Sequence, residues 1–393
     1  MKQQAHDGED ALEDYARSAV PAHAKRSPAS VSAVLMGIVT AFFFPAVGGA
    51  YFSSYGGPAT LVGLTIGFII LLVLVLPVAA TASRQGLTAE LLSRGCGFGY
   101  AGTVLTTLIY AATFIILAAV ESQILANAAA QLLPFIPLQV WYIVVGLLFI
   151  PLTWYGMKIL PKLMWISLPI YILLVGAAVI IGITQTDWSG TAVPEPAVAG
   201  GAIGVIGVLA GLSGIIGLNP FEASDYTRFI PGDKFWKSSM LSVVFPYAVM
   251  FFIAYPLGIF FTIVNGGQTD PAVYFPIMLG LGLGVLLAWV SQVRINLTSI
   301  HIGSIALTSA NERALPWRLG RRFWTVVMCV TTIALMFFDV LGNVLVFLEW
   351  NGVFLLAWAG VIWADLLIVR KLLKIAPPQI EYRESRIRGI NPT

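Results

Sequence analysis

Residues 36–52 read MGIVTAFFFPAVGGAYF, and residues 213–226 read SGIIGLNPFEASDY. Each stretch lies inside a long apolar run, and each holds residues that a helix crossing hydrocarbon should avoid. Pro45 removes one helical hydrogen bond and crowds the turn before it, and Gly48 and Gly49 loosen the next turn. Gly217, Asn219 and Pro220 repeat the device. Lipid offers main-chain groups no partner, so a break is tolerated only where it is buried in protein or lines a watery cavity. Two interrupted helices at matching places in two halves point to a solute site near the bilayer midplane. The plainer alternative is a pair of ordinary proline kinks, common in membrane helices.

Composition agrees with a membrane chain. Of 393 residues, 58% are hydrophobic and 10% charged, against about 25% charged in a soluble domain. Apolar windows of about 20 residues fall at 31–53, 58–82, 101–132, 138–157, 164–185, 198–230, 239–265, 275–309, 322–338 and 340–368. The basic residues alternate with them. Lys2, Arg17, Lys25 and Arg26 precede the first span, and Arg84 and Arg94 follow the second. Lys158 and Lys162 follow the fourth, Arg228, Lys234 and Lys237 the sixth, and Arg313, Arg318, Arg321 and Arg322 the eighth. Arg370, Lys371, Lys374, Arg383, Arg386 and Arg388 follow the tenth. Loops after odd spans carry only acids: Asp187, Glu195 and Asp270. By the positive-inside rule both termini face the cytoplasm, here of the inner (cytoplasmic) membrane.

The expected fold is an all-α polytopic membrane protein of ten transmembrane helices. They form a 5+5 inverted repeat with discontinuous helices 1 and 6, five being odd. Residues 1–28 read as a mobile cytoplasmic tail, 29–185 as the first repeat, 198–370 as the second, and 371–393 as a cytoplasmic tail. Cys96 and Cys329 lie in different segments and suggest neither a disulfide nor a metal site. Three His, two Cys and no HExxH-like run argue against an enzyme. Partners are a small-molecule solute and the lipid bilayer, with no nucleic acid; no metal or cofactor is expected beyond a coupling ion.

Glu121, Glu222, Arg294 and Glu349 fall well inside spans. A charge at the bilayer centre costs about 2.5–3.5 kcal/mol on insertion scales, so such groups face the interior and find partners. They read either as ligands of a cavity or as static interhelical pairs, with snorkelling open to Glu349. Asp225 and Arg228 sit at a span end and read as a gate or structural pair, and His301 as a hydrogen-bonded core residue. Phe42, Phe43, Phe44, Phe114 and Phe221 lie nearer mid-membrane, where packing is the default and stacking on a flat ligand the alternative.

Four further stretches carry a likeness: GLTAELLSRGCGFG (86–99), ASDYTRF (223–229), WADLLIVRK (363–371) and RGINP (388–392). Together they resemble the bacterial purine–cytosine permease group of the nucleobase–cation symport family, which has the leucine-transporter type fold. The resemblance implies a solute site between the broken helices and spans three and eight, where a flat heterocycle stacks on aromatics. By position it implies Pro45, Gly48, Gly49, Phe114, Glu121, Gly217, Asn219, Phe221, Asn296 and Ser299 as substrate contacts. Arg294, Glu121, Thr298 and Glu222 are the expected coupling or ion-site residues. Two departures matter. Phe114 and Leu117 stand where the third-helix pattern often has Gln and Trp, which moves the stacking. Ser291-Gln292-Val293-Arg294 occupies the region expected to offer small hydroxyls to sodium. A guanidinium there supplies the cation's charge, so H+ coupling through Glu121, or facilitated exchange, is expected in place of Na+. Relatives usually have twelve helices, and the last two are expected to be peripheral to the ten-helix core.

The expected function is uptake of a nucleobase or related small heterocycle by alternating access. An amino-acid or amine carrier of the same fold is the alternative, since a Glu121/Arg294 pair would suit a zwitterion. A non-transporting membrane sensor is another.

Overall fold

The computed structural model describes residues 14–155, 160–189, 195–198, 200–314, 319–338, 340, 344–387 and 389. Lys2, Lys158, Arg318, Arg388 and all of RGINP but Gly389 lie outside them, as does the side chain of Arg313.

The described elements are helical. The first span is two helices, α1 (Pro28–Val39) and α2 (Phe43–Tyr55), bent by 46°. Then come α3 (Gly57–Gln85), the short α4 (Ala89–Ser93), α5 (Gly99–Leu132), α6 (Leu138–Thr153) and α7 (Leu160–Gln185). The second half holds α8 (Gly201–Thr227), α9 (Phe235–Val264, with two π-helical turns), α10 (Pro271–Leu279), α11 (Leu281–Ala314), α12 (Arg321–Met336) and α13 (Val344–Ala364), which runs on as π-helix over Asp365–Leu372. Among the described residues, seven helices are long and apolar enough to cross a bilayer, and the bent pair makes an eighth. Helices α6 and α12 have 16 residues each, about 24 Å at 1.5 Å per residue, and occupy the fourth and ninth places. The protein is a multi-pass membrane protein, with helices at all ten expected positions.

Local sequence sets the ends. Ser27 caps α1 by accepting the Ser30 amide at 3.2 Å, with Pro28 in the first turn. Gly86 takes φ +72° to end α3, its amide bonding the Ala82 carbonyl.

Packing follows a two-halves rule. Helix α5 lies along α11, the third span against the eighth. Helix α3 packs on α8 (second on sixth), and α2 on α9 (first on seventh). Helix α1 packs on α7 (first on fifth), and α8 on α13 (sixth on tenth). Exchanging span n with span n+5 maps each of these pairings onto another or onto itself, as two five-helix repeats require.

One expectation fails. The sixth span is not discontinuous: α8 runs helical through Gly217-Leu218-Asn219-Pro220. A proline removes only one amide donor, so only the Ile216 carbonyl loses its helical partner here. Nor does Gly217 unwind the chain. A Cβ there would meet the Leu356 amide nitrogen at 2.6 Å and the Leu355 carbonyl carbon at 2.7 Å, so this glycine lets α13 approach α8. Gly48 has the same role in α2, where an added Cβ would lie 2.2 Å from the Tyr255 carbonyl oxygen of α9.

The chain from Asp14 to Arg26, expected to be mobile, is packed down. Tyr15, Ala16 and Val20 are buried. The Val20 amide donates to Gly86 O at 2.9 Å and that of Arg26 to Phe229 O at 2.6 Å. The C-terminal segment returns to the same end, where the Ile380 amide donates to the Gln85 side chain at 2.8 Å. Both terminal segments therefore lie at one end of the bundle, the basic end. Cys96 and Cys329 are free and buried. Glu349 is exposed, in line with snorkelling.

Candidate functional site

The break at Thr40-Ala41-Phe42 exposes carbonyls at the end of α1 and amides at the start of α2, each worth about 1–3 kcal/mol if left buried and unpaired. Three polar side chains of α11 answer them. Ser291 Oγ accepts the Phe42 amide at 3.0 Å, with Gln292 Oε1 at 3.3 Å. Arg294 donates from Nη1 to Thr40 Oγ1 at 2.8 Å and from Nη2 to Thr40 O at 3.3 Å. Its guanidinium carbon sits 4.6 Å from the centroid of the Tyr171 ring, a cation–π contact. A positive charge is thus fixed on the carbonyl end of a broken helix, where the macrodipole favours a cation. Pro45 falls in the first turn of α2, where a missing amide costs least, so the break lies three to five residues ahead of it.

The same α11 side chains reach the third span. Gln292 Nε2 donates to the Glu121 carboxylate, and Asn296 Nδ2 donates to Gln292 O at 3.0 Å while its Oδ1 accepts from Ser122 Oγ at 3.0 Å. Glu121, Gln292 and the Phe42 amide therefore form one chain from α5 to the break. Glu121 and Arg294 do not pair; each has its own neutral partners.

Beside this chain lies a cavity of about 30 Å³, room for about two waters. Phe43, Phe44 and Phe114 form its aromatic wall. Glu121, Asn219, Glu222 and Ser299 bring its polar atoms, and Ile38, Leu117, Ile215, Leu218 and Ile295 fill the rest. Asn219 is 4% exposed, and among the described residues its amide nitrogen has no hydrogen-bond partner. A buried donor in that condition is costly.

The expected residues divide accordingly. Phe114, Glu121, Asn219, Glu222 and Ser299 meet at the cavity. Pro45, Gly48, Gly49 and Gly217 do not line it: a Cβ at Gly49 would meet Thr262 Oγ1 at 2.3 Å, and the other three lie in the helix contacts and the first turn of α2. Phe221 turns away and stacks on Trp358 at 3.6 Å between centroids. Asn296 is one step behind the wall, and Thr298 bonds back to its own helix at Ile295 O. Arg294 serves the break and not the cavity. The aliphatic lining was not anticipated. An apolar residue on a membrane helix carries no sign of which way it faces, and Phe43 and Phe44 differ in sequence from other mid-membrane aromatics only by adjoining Pro45.

Toward the basic end the cavity is closed. Asp225 accepts the Ala89 amide at 3.1 Å and the Tyr110 hydroxyl at 2.9 Å. Arg228 donates to Asp225 O, Tyr15 O and Asp14 O at 2.8–3.0 Å, so the two side chains are not an ion pair. The N-terminal segment spans both halves of this closure. Lys25 Nζ bonds Ser83 O and Arg228 O, Arg17 bonds Thr308 O and Leu319 O, and the Asp14 carboxylate lies 3.8 Å from His301 Nδ1 and Arg321 Nε. His301 belongs to this closure, not to the cavity. Arg228→Ala is expected to free the segment from α8 and speed limited proteolysis before Arg26; an unchanged digestion pattern would show that the segment is held elsewhere.

No protein-family model matches the chain, and no curated protein matches it. Solved structures do. Mhp1, a nucleobase-cation-symport-1 family transporter, closed with bromovinylhydantoin bound, matches at TM-score 0.71 and 16% identity, over 88% of this chain and 80% of that one. Inward-facing Mhp1 matches at TM-score 0.69 and 16% identity, over 90% and 81%. A Na+-coupled sialic acid symporter, substrate-bound and outward-open, matches at TM-score 0.63 and 14% identity, over 92% and 82%. At these identities the likeness is one of fold, the leucine-transporter type.

Proposed function

We propose that the protein is a secondary transporter of a small flat heterocycle, a nucleobase or close relative as in the purine–cytosine permease group. It works by alternating access in the cytoplasmic membrane, the basic end facing the cytoplasm. The observation that carries this is the cavity at the break of the first span. It joins an aromatic wall to an unpartnered amide donor and two carboxyls, a combination that holds a ring on its faces and its edge. Its volume is far below that of any ring, so the structure corresponds to a closed conformer whose walls must part to admit solute.

Arg294 supplies at the break the positive charge that a coupling sodium would otherwise bring, so transport is proposed to be sodium-independent, with protons or exchange in its place. The amino-acid reading loses its support with the Glu121/Arg294 pair, which does not form. A sensor would bind solute without moving it.

A thermal-shift panel of nucleobases, hydantoins, pyrimidine vitamin precursors and amino acids tests the reading. A flat heterocycle is expected to raise the melting temperature equally with and without sodium. Stabilisation by amino acids alone would replace it. Asn219→Ala is expected to weaken binding of the stabilising compound about five- to tenfold, the value of one buried hydrogen bond; unchanged affinity would place the solute elsewhere.

A further inference from the structure

From the cavity toward the basic end runs a set of carboxyls, of which only the first, Glu222, faces the solute site. Glu222 opens on the cavity. Asp225 is one helical turn further toward the basic end, buried, and bonded to Ala89 N and Tyr110. Glu90 comes directly after Ala89 and is 0% exposed; among the described residues no donor meets either oxygen in full hydrogen-bond geometry, the near ones being its own amide and the Thr88 hydroxyl. The groups facing Glu90 are Asp225 and Arg228 of α8, Tyr110 of α5 and the Thr88 hydroxyl of its own segment. Arg228 directs three of its N–H groups to carbonyl oxygens, and Thr88 Oγ1 accepts from Leu91 N, which leaves its hydroxyl proton to face Glu90.

A fully buried carboxylate with few donors is costlier than a neutral carboxyl, and the Asp225 carboxylate nearby adds to that cost. Glu90 therefore holds a proton in this conformer. It sits under Arg228, whose other bonds go to Asp14 and Tyr15, so lifting the N-terminal segment would open the Glu90 region to the aqueous phase at the basic end.

We propose that Glu222, Asp225 and Glu90 form a proton relay between the cavity and the basic end, with Glu90 as the station nearest the cytoplasm. This rests on the transport reading and names its coupling path. A proton arriving with solute binds Glu222 and passes to Asp225, while Glu90 keeps its own. When the closure opens, Glu90 releases its proton to water and takes the one on Asp225, so each carboxyl returns to its starting charge.

The test is Glu90→Gln in proteoliposomes, with labelled cytosine, hypoxanthine and hydantoin as probes. Two assays run side by side: solute exchange with equal pH on both sides, and accumulation driven by an inward proton gradient with a pH-sensitive dye in the lumen. Exchange is expected to stay within about twofold of wild type, while gradient-driven accumulation and dye-reported proton entry fall at least about tenfold. Glu90→Asp should restore part of both. Accumulation in Glu90→Gln equal to wild type overturns the relay, as does a wild type that exchanges solute without moving protons; both leave the transport reading standing. A wild type that exchanges none of the three probes counts against both. A measurement free of any solute guards against a variant that fails to fold. Infrared difference spectra of wild type between acid and alkaline pH are expected to show a protonated carboxyl band at neutral pH that Asp225→Asn shifts. Absence of any such band overturns the proposal.

Discussion

Arg294→Ala is expected to lower sodium-free transport at least about tenfold. The substitution removes two donors from Thr40 and a cation from the Tyr171 face. Hydrogen bonds to charged groups contribute about 1.5–3 kcal/mol each, and a desolvated cation–π contact about 2 kcal/mol or more. Even a loss of about 3 kcal/mol changes a conformer's population by a factor of about 100. The loss falls on the closed conformer, because the bonds tie α1 to α11, one from each half of the molecule. Arg294→Ser carries a sharper expectation. A hydroxyl beside Ser291 and the Thr40 carbonyl offers oxygen ligands to a monovalent cation, so added sodium should recover part of the lost transport in this variant and none in wild type. Indifference of both variants to sodium, with wild-type rates, would make Arg294 a spectator.

Gly258→Val is expected to prevent folding or cost at least about 3 kcal/mol of stability. A Cβ at Gly258 would lie 1.9 Å from the Pro45 carbonyl oxygen, just where Gly48 meets Tyr255 from the other side. Overpacking costs about 1–3 kcal/mol when side chains can adjust. Here the obstacle is main chain, which cannot rotate aside, and it belongs to the half-helix that starts at the break. Fluorescence-detected size-exclusion chromatography should show little monodisperse protein. Gly360→Ala, with nothing within 4 Å of the added Cβ, should elute as wild type. Normal elution of Gly258→Val would mean that α2 and α9 do not meet as closely as described.

Much of this was legible in the residues. The alternation of basic loops set the span order, and the first break was marked by its Pro and Gly. The buried carboxyls Glu121 and Glu222 had to face the interior because lipid excludes them. What the residues could not settle was the job each breaker does. Proline near the start of a helix and proline in its middle look alike in sequence, yet Pro45 comes after a real break and Pro220 sits in an unbroken helix. Glycine serves both unwinding and close approach, and Gly48, Gly49 and Gly217 serve the second. The partner of Arg294 was a tertiary matter: Thr40 was not singled out, because a threonine among apolar residues usually bonds its own helix. The N-terminal segment misled through its polar composition, which hid the fit of two of its carbonyls to Arg228.

The most direct measurement is uptake of labelled heterocycle into proteoliposomes in which choline replaces sodium on both sides. Saturable uptake is expected at the rate seen with sodium, weakened by Asn219→Ala. Uptake that begins only when sodium is added, or that Asn219→Ala leaves untouched, would contradict a sodium-independent site at the break of the first span.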